Sequence, residues 1–120
     1  MYNAIARTGN WATTNITDVW FAPDLVIDKM SLFHLWGWGS STFWDRLRGV
    51  NLMLTSDTNK WEWATAQWIT IWNYLTSFDN NGITVWSDTN ALLINRSSDI
   101  FINYFFRRSP WFFDILYYIG

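Results

Sequence analysis

Residues 87–108 read SDTNALLINRSSDIFINYFFRR, and their periodicity must arbitrate between helix and strand. Asn95, Arg96, Asp99, Asn103 and Arg107 recur at helical spacing and form one polar face. Leu93, Ile94, Ile100, Phe101, Tyr104 and Phe105 gather on the opposite face. Strand alternation places Ile100, Ile102 and Tyr104 together but leaves Asp99, Phe101 and Asn103 mixed on the other side. The spacing therefore predicts an amphipathic helix over about residues 88–107.

Working outward, residues 57–77 give the same pattern. Trp61, Ala64, Trp68, Ile71, Trp72 and Leu75 line one stripe, with Glu62, Thr70, Asn73 and Ser77 opposite. Ser56-Asp57-Thr58-Asn59 and Ser87-Asp88-Thr89-Asn90 supply capping side chains before each segment. Ser109-Pro110 precedes Trp111-Phe112-Phe113-Asp114, as at a helix start with Pro in the first turn. Shorter helices are expected over 10–20, from Pro23 to Gly37, and from Ser41 to Arg48 before Gly49. Asp79-Asn80-Asn81-Gly82 is a turn. The expected fold is all-α, one domain of five or six helices over residues 1–120, with two long ones. The alternative is α+β with a hairpin near residues 68–87, since Trp, Phe, Tyr, Ile, Thr and Val all favour strands.

Composition narrows function. The chain has 120 residues, a net charge of −2 and only eight basic residues, which argues against nucleic acid as a partner. It has no cysteine, so thiolate metal sites and cysteine nucleophiles are excluded. Nine of its ten acids are Asp, and three of these, Asp57, Asp88 and Asp114, are read as caps. With one histidine, His34, and one Glu, Glu62, no acid–base pair stands out. The chain is therefore expected not to be an enzyme and to carry no metal or cofactor. His34 remains a candidate ligand to a pigment metal or haem.

Eleven tryptophans and nine phenylalanines exceed what a core of this size can hide, so some rings must face outward. Trp38 and Trp63 are candidate contacts, Trp63 because it lies off the apolar stripe of its helix. Tyr104, Phe105, Arg107, Arg108, Trp111, Phe112 and Phe113 form a candidate docking element at the C-terminal end, with the arginines at its rim. These features describe a structural or accessory subunit of a larger, membrane-associated assembly, with other protein subunits or a lipid interface as partners. The alternatives are a binding module for an aromatic-compatible ligand (glycan or pigment) and a viral or phage structural protein. No signal peptide or clear transmembrane helix is evident in the sequence.

Overall fold

In the computed structural model the described residues are 1–32, 41–50, 52–56, 74–87, 94–116 and 118–119. They form eight strands and, among the described residues, no helix. The strands are β1 (Tyr2–Thr8), β2 (Thr14–Ile16), β3 (Leu25–Leu32), β4 (Ser41–Asp45), β5 (Leu54–Thr55), β6 (Leu75–Phe78), β7 (Ile83–Val85) and β8 (Ile100–Phe106). A five-stranded antiparallel sheet runs β1-β8-β3-β4-β5, and a three-stranded antiparallel sheet runs β2-β7-β6.

The all-α expectation is overturned, and so is its α+β alternative. The segment read as helix 88–107 holds β8, an interior strand of the larger sheet, paired to β1 on one side and β3 on the other along its whole length. Phe101, Asn103 and Phe105 point inward and are fully buried, while Ile102, Tyr104 and Phe106 lie half-buried on the other face. Both faces carry large apolar side chains, so the period of two is hidden. Of the segment 57–77, residues 57–73 lie outside the described residues, and β6 begins at Leu75. The shorter helices fail likewise: Thr14–Ile16, Leu25–Leu32 and Ser41–Asp45 are strands.

The core joins the two sheets. Val26, Trp44 and Phe105 from the larger sheet pack in one cluster with Ile16, Leu75, Ile83 and Val85 from the smaller. Val19, Phe21, Met53, Tyr74 and Ile94 complete the cluster from the connections. Apolar burial of this kind contributes roughly 1.5–3 kcal/mol for each large side chain.

Local chemistry fixes the smaller sheet. Asp79 closes the turn between β6 and β7: its amide donates to the Gly82 carbonyl at 2.8 Å. Its carboxylate accepts from Ser77 Oγ at 2.7 Å and Thr84 Oγ1 at 2.8 Å. Arg46, just past β4, donates to the carbonyls of Pro23 and Asp79 and stacks over the Phe78 ring at 5.2 Å. One cation thus ties the hairpin to the larger sheet.

Candidate functional site

Two constellations stand out, one inside the sheet and one beyond its last strand. The inner one centres on Arg7 of β1. Its fork donates to Asn103 Oδ1 at 2.7 Å, Asn95 Oδ1 at 3.0 Å and Asp28 Oδ2 at 3.1 Å, and also to the Ile94 carbonyl. Asn103 Nδ2 donates to the same Asp28 oxygen at 2.7 Å. Asn95 Nδ2 reaches on to Asn10 Oδ1 and the Ala12 carbonyl. Arg7 also sits 4.7 Å over the Phe101 ring.

The register explains why these groups meet. Asp28 lies directly opposite Asn103, which lies opposite Ile5, so Arg7 is one diagonal step away on the same face. Burial lifts the Asp28 carboxyl from its usual 3.8 to about 7, against the opposing pull of Arg7 and Asn103. Burial likewise pulls the Arg7 guanidinium below its ordinary value, against the attraction of Asp28. Gly9 lets the loop carrying Asn95 approach, because a Cβ there would stand 1.9 Å from the Arg96 carbonyl oxygen. Asp28 is fully buried, and the network clamps β1, β8, β3 and the 94–95 loop together.

The outer constellation is the chain beyond β8. Arg107 donates its amide to the Met1 carbonyl, and Arg108 donates its amide to Asp24 Oδ2 at 2.8 Å. The Arg108 guanidinium lies 3.7 Å from Asp24 and 4.0 Å from Asp114. Ser109-Pro110 then starts a tight turn rather than a helix. The Ser109 amide donates to the Phe113 carbonyl at 2.8 Å, and the amides of Phe112 and Phe113 return bonds to the Ser109 carbonyl. Pro fits because its fixed φ suits the second position of a turn as well as a first helical turn. Asp114 does not face a helix N-terminus; its carboxylate accepts from the Ile115 amide.

The turn separates its rings. Phe113 folds back onto Phe106, with centroids 5.6 Å apart, and Phe106 in turn meets Tyr2 at 5.1 Å. Trp111 and Phe112, at the tip, are 98% and 92% exposed. Leu116, Tyr118 and Ile119 beyond them are each more than 80% exposed.

Of the residues singled out from sequence, the fold brings Tyr104, Arg107, Arg108, Trp111, Phe112 and Phe113 to the end of β8 and the following arm. Phe105 is in the core, not on a contact surface. Trp38, Trp63 and His34 lie outside the described residues. The sequence reading missed Arg7, Asp28, Asn95 and Asn103 as a unit, having placed the two asparagines on a solvated helix face. The available signal was parity: Arg7 shares its strand face with Asn3 and Ile5, and Asp28 with Val26 and Met30. Trp20, at the end of the segment 10–20 expected to be helical, is 88% exposed at φ 72°, an unusual conformation for a bulky side chain.

Among the described residues no group of three or more His, Cys, Asp or Glu side chains could hold a metal ion, and no helix is long and apolar enough to cross a membrane. No protein family, no curated protein and no solved structure matches this chain.

Proposed function

We propose that this protein is a non-catalytic structural subunit that docks into a larger assembly through its apolar C-terminal arm. The observation that carries the reading is the contrast along the arm. The arm's base is fastened by Arg108 to Asp24 and by Phe113 to Phe106, while Trp111, Phe112, Leu116, Tyr118 and Ile119 stand in water. Five large apolar side chains held outward on an anchored base form the kind of patch that marks an interface. Covering them supplies roughly 7–15 kcal/mol of gross burial, at about 1.5–3 kcal/mol per side chain. Ordering the seven residues past the turn costs about 7–14 kcal/mol at about 1–2 kcal/mol per residue, so docking is favoured to the extent that the base, already fastened in the free chain, has met part of that cost.

A protein groove suits this arm better than an anionic lipid surface. Arg46 and Arg108 share Asp24, and Arg108 also meets Asp114, so with Arg107 the base of the arm keeps about one net positive charge, well short of the cluster of basic residues that recognises anionic lipid. The test is sedimentation of the full chain from its native cells, wild type against a Trp111→Ser, Phe112→Ser, Leu116→Ser variant. The wild type is expected in a particle larger than the chain alone. The variant is expected free in the soluble fraction with unchanged thermal unfolding. Identical sedimentation of both chains refutes docking through the arm, and wild type found with membranes in place of a protein particle refutes the choice of partner.

A further inference from the structure

Among the described residues β1 is an edge strand of the larger sheet, with no strand paired to one side of its backbone. The bonds flanking it show which residues face β8. The Gly9 amide donates to the Asp99 carbonyl and the Arg107 amide to the Met1 carbonyl, in the same register as the strand pairing itself. In an antiparallel ladder the bonded pairs alternate, so odd-numbered residues of β1 bond to β8 and even-numbered ones face away. Tyr2, Ala4, Ala6 and Thr8 therefore turn their amides and carbonyls outward. Among the described residues the only group bonded to this row is Asn3 Oδ1, which accepts from the Ala4 amide at 2.8 Å. All four side chains are exposed.

Edge strands are ordinarily blunted by shortness, by a bulge, by Pro or by outward charge. The other edges among the described strands have such protection. β5 is two residues long, β2 is three, and β6 has a register shift between Leu75 and Ser77. β1 has seven residues in regular register, no Pro and no outward charge, since Arg7 is held inside by its network.

We infer that β1 docks against β1 of a second copy of this chain, antiparallel about a twofold axis at Ile5, joining two five-stranded sheets into one of ten. The strand is complementary to itself in that register. Ala4 lies opposite the partner's Ala6 and Tyr2 opposite the partner's Thr8, so each outward backbone group meets another outward group. On the inner face Ile5 meets its own copy, and Arg7 lies opposite the partner's Asn3, so no like charges meet. The exposure alternates symmetrically about Ile5, which a twofold pairing requires. A closed pair uses up the edge in both copies, whereas a foreign strand would leave its own far edge open.

The experiment is sedimentation equilibrium of the full chain over a wide concentration range, with Ala6→Pro, Asn3→Ala and Trp111→Ser/Phe112→Ser variants. Ala6→Pro removes an amide that faces away from β8, so the native ladder keeps its bonds. Wild type is expected as a dimer, and Ala6→Pro is expected to dimerise at least about tenfold more weakly. Asn3→Ala frees the Ala4 amide and is expected to dimerise more tightly. The Trp111→Ser/Phe112→Ser pair is expected to remain dimeric, which separates this edge from the C-terminal arm. A monomeric wild type, or an Ala6→Pro chain that dimerises as well as wild type, overturns the inference. Should Ala6→Pro fail to fold, hydrogen exchange on wild type decides. The amides of Tyr2, Ala6 and Thr8 must slow as concentration rises, and fast exchange at every concentration overturns the pairing.

Discussion

Replacing Arg7 by Met should be among the most damaging single changes to this fold. The side chain donates to four acceptors: Asn103 Oδ1, Asn95 Oδ1, Asp28 Oδ2 and the Ile94 carbonyl. Met fills much of the volume but leaves all four without this donor. Bonds to a charged group contribute about 1.5–3 kcal/mol each, and a buried acceptor left unpaired costs about 1–3 kcal/mol. Asp28 keeps Asn103 as a donor and can take up a proton, so its share of the loss is small. The remaining three acceptors put the expected loss at roughly 4–6 kcal/mol. A chain of 120 residues has a total stability of roughly 6–18 kcal/mol at 0.05–0.15 kcal/mol per residue. The variant should therefore lose roughly a fifth or more of its stability. Arg7→Lys keeps the charge without the planar fork and should lose roughly half as much. Asp28→Asn leaves Arg7 without a counter-charge but keeps an oxygen that can accept from Arg7 and Asn103, and near pH 7 it replaces a carboxyl that is itself about half protonated, so it should cost less than Arg7→Met, about 1–3 kcal/mol. Urea unfolding of the three variants near neutral pH gives the ranking. If Asp28→Asn costs as much as Arg7→Met, the ion pair and not the hydrogen-bonding fork holds the strands, and the reasoning fails.

Four further outcomes follow from the same geometry. The Asp28 carboxyl binds its proton more tightly when folded, at about 7, than at the ordinary 3.8. Its contribution to stability is thus complete below 3.8 and lost as pH rises through about 7; urea midpoints of wild type should fall across that window relative to those of Asp28→Asn. Gly9→Ala places a Cβ on the Arg96 carbonyl and must displace the loop that carries Asn95, so thermal unfolding should show a loss of at least about 2 kcal/mol. Trp111→Ser with Phe112→Ser touches rings that contact almost nothing in the free chain and should change the unfolding free energy by less than about 0.5 kcal/mol. Trp20→Asn keeps a polar-tolerant residue at φ 72° in an exposed position and should stabilise the chain by up to about 1 kcal/mol in the same assay.

The features legible in the sequence were those set by local chemistry. Asp79-Asn80-Asn81-Gly82 is a turn in the structure because Asp79 closes it with partners no more than five residues away: its amide on the Gly82 carbonyl and its carboxylate on Ser77 and Thr84. The outward rings at Trp111 and Phe112 follow from an aromatic surplus that no core of this size absorbs. The strand assignments failed where tertiary partners reverse the meaning of a polar residue. Asn95, Asp99 and Asn103 read as a solvated stripe, yet all three are buried, two of them in the Arg7 network and Asp99 beside Arg96 at 3.8 Å. An inward arginine on β1 turns inward asparagines on its neighbours from a penalty into a requirement, and it lies 88 residues from Asn95 and 96 from Asn103. Helical spacing in β8 arose because its buried polar residue and its half-buried outer aromatics fall out of step with a simple inside-outside alternation. Ser109-Pro110 misled for a different reason: a first helical turn and a tight turn ask for the same φ and the same small polar neighbour. What separates them is the next few residues. A helix must bury one side of Trp111-Phe112-Phe113, whereas a turn can bury Phe113 alone on Phe106 and leave the other two outside. Three consecutive rings with only one inward position to receive them favour the turn, and that same arithmetic leaves two rings outward at its tip, where the proposed docking surface lies.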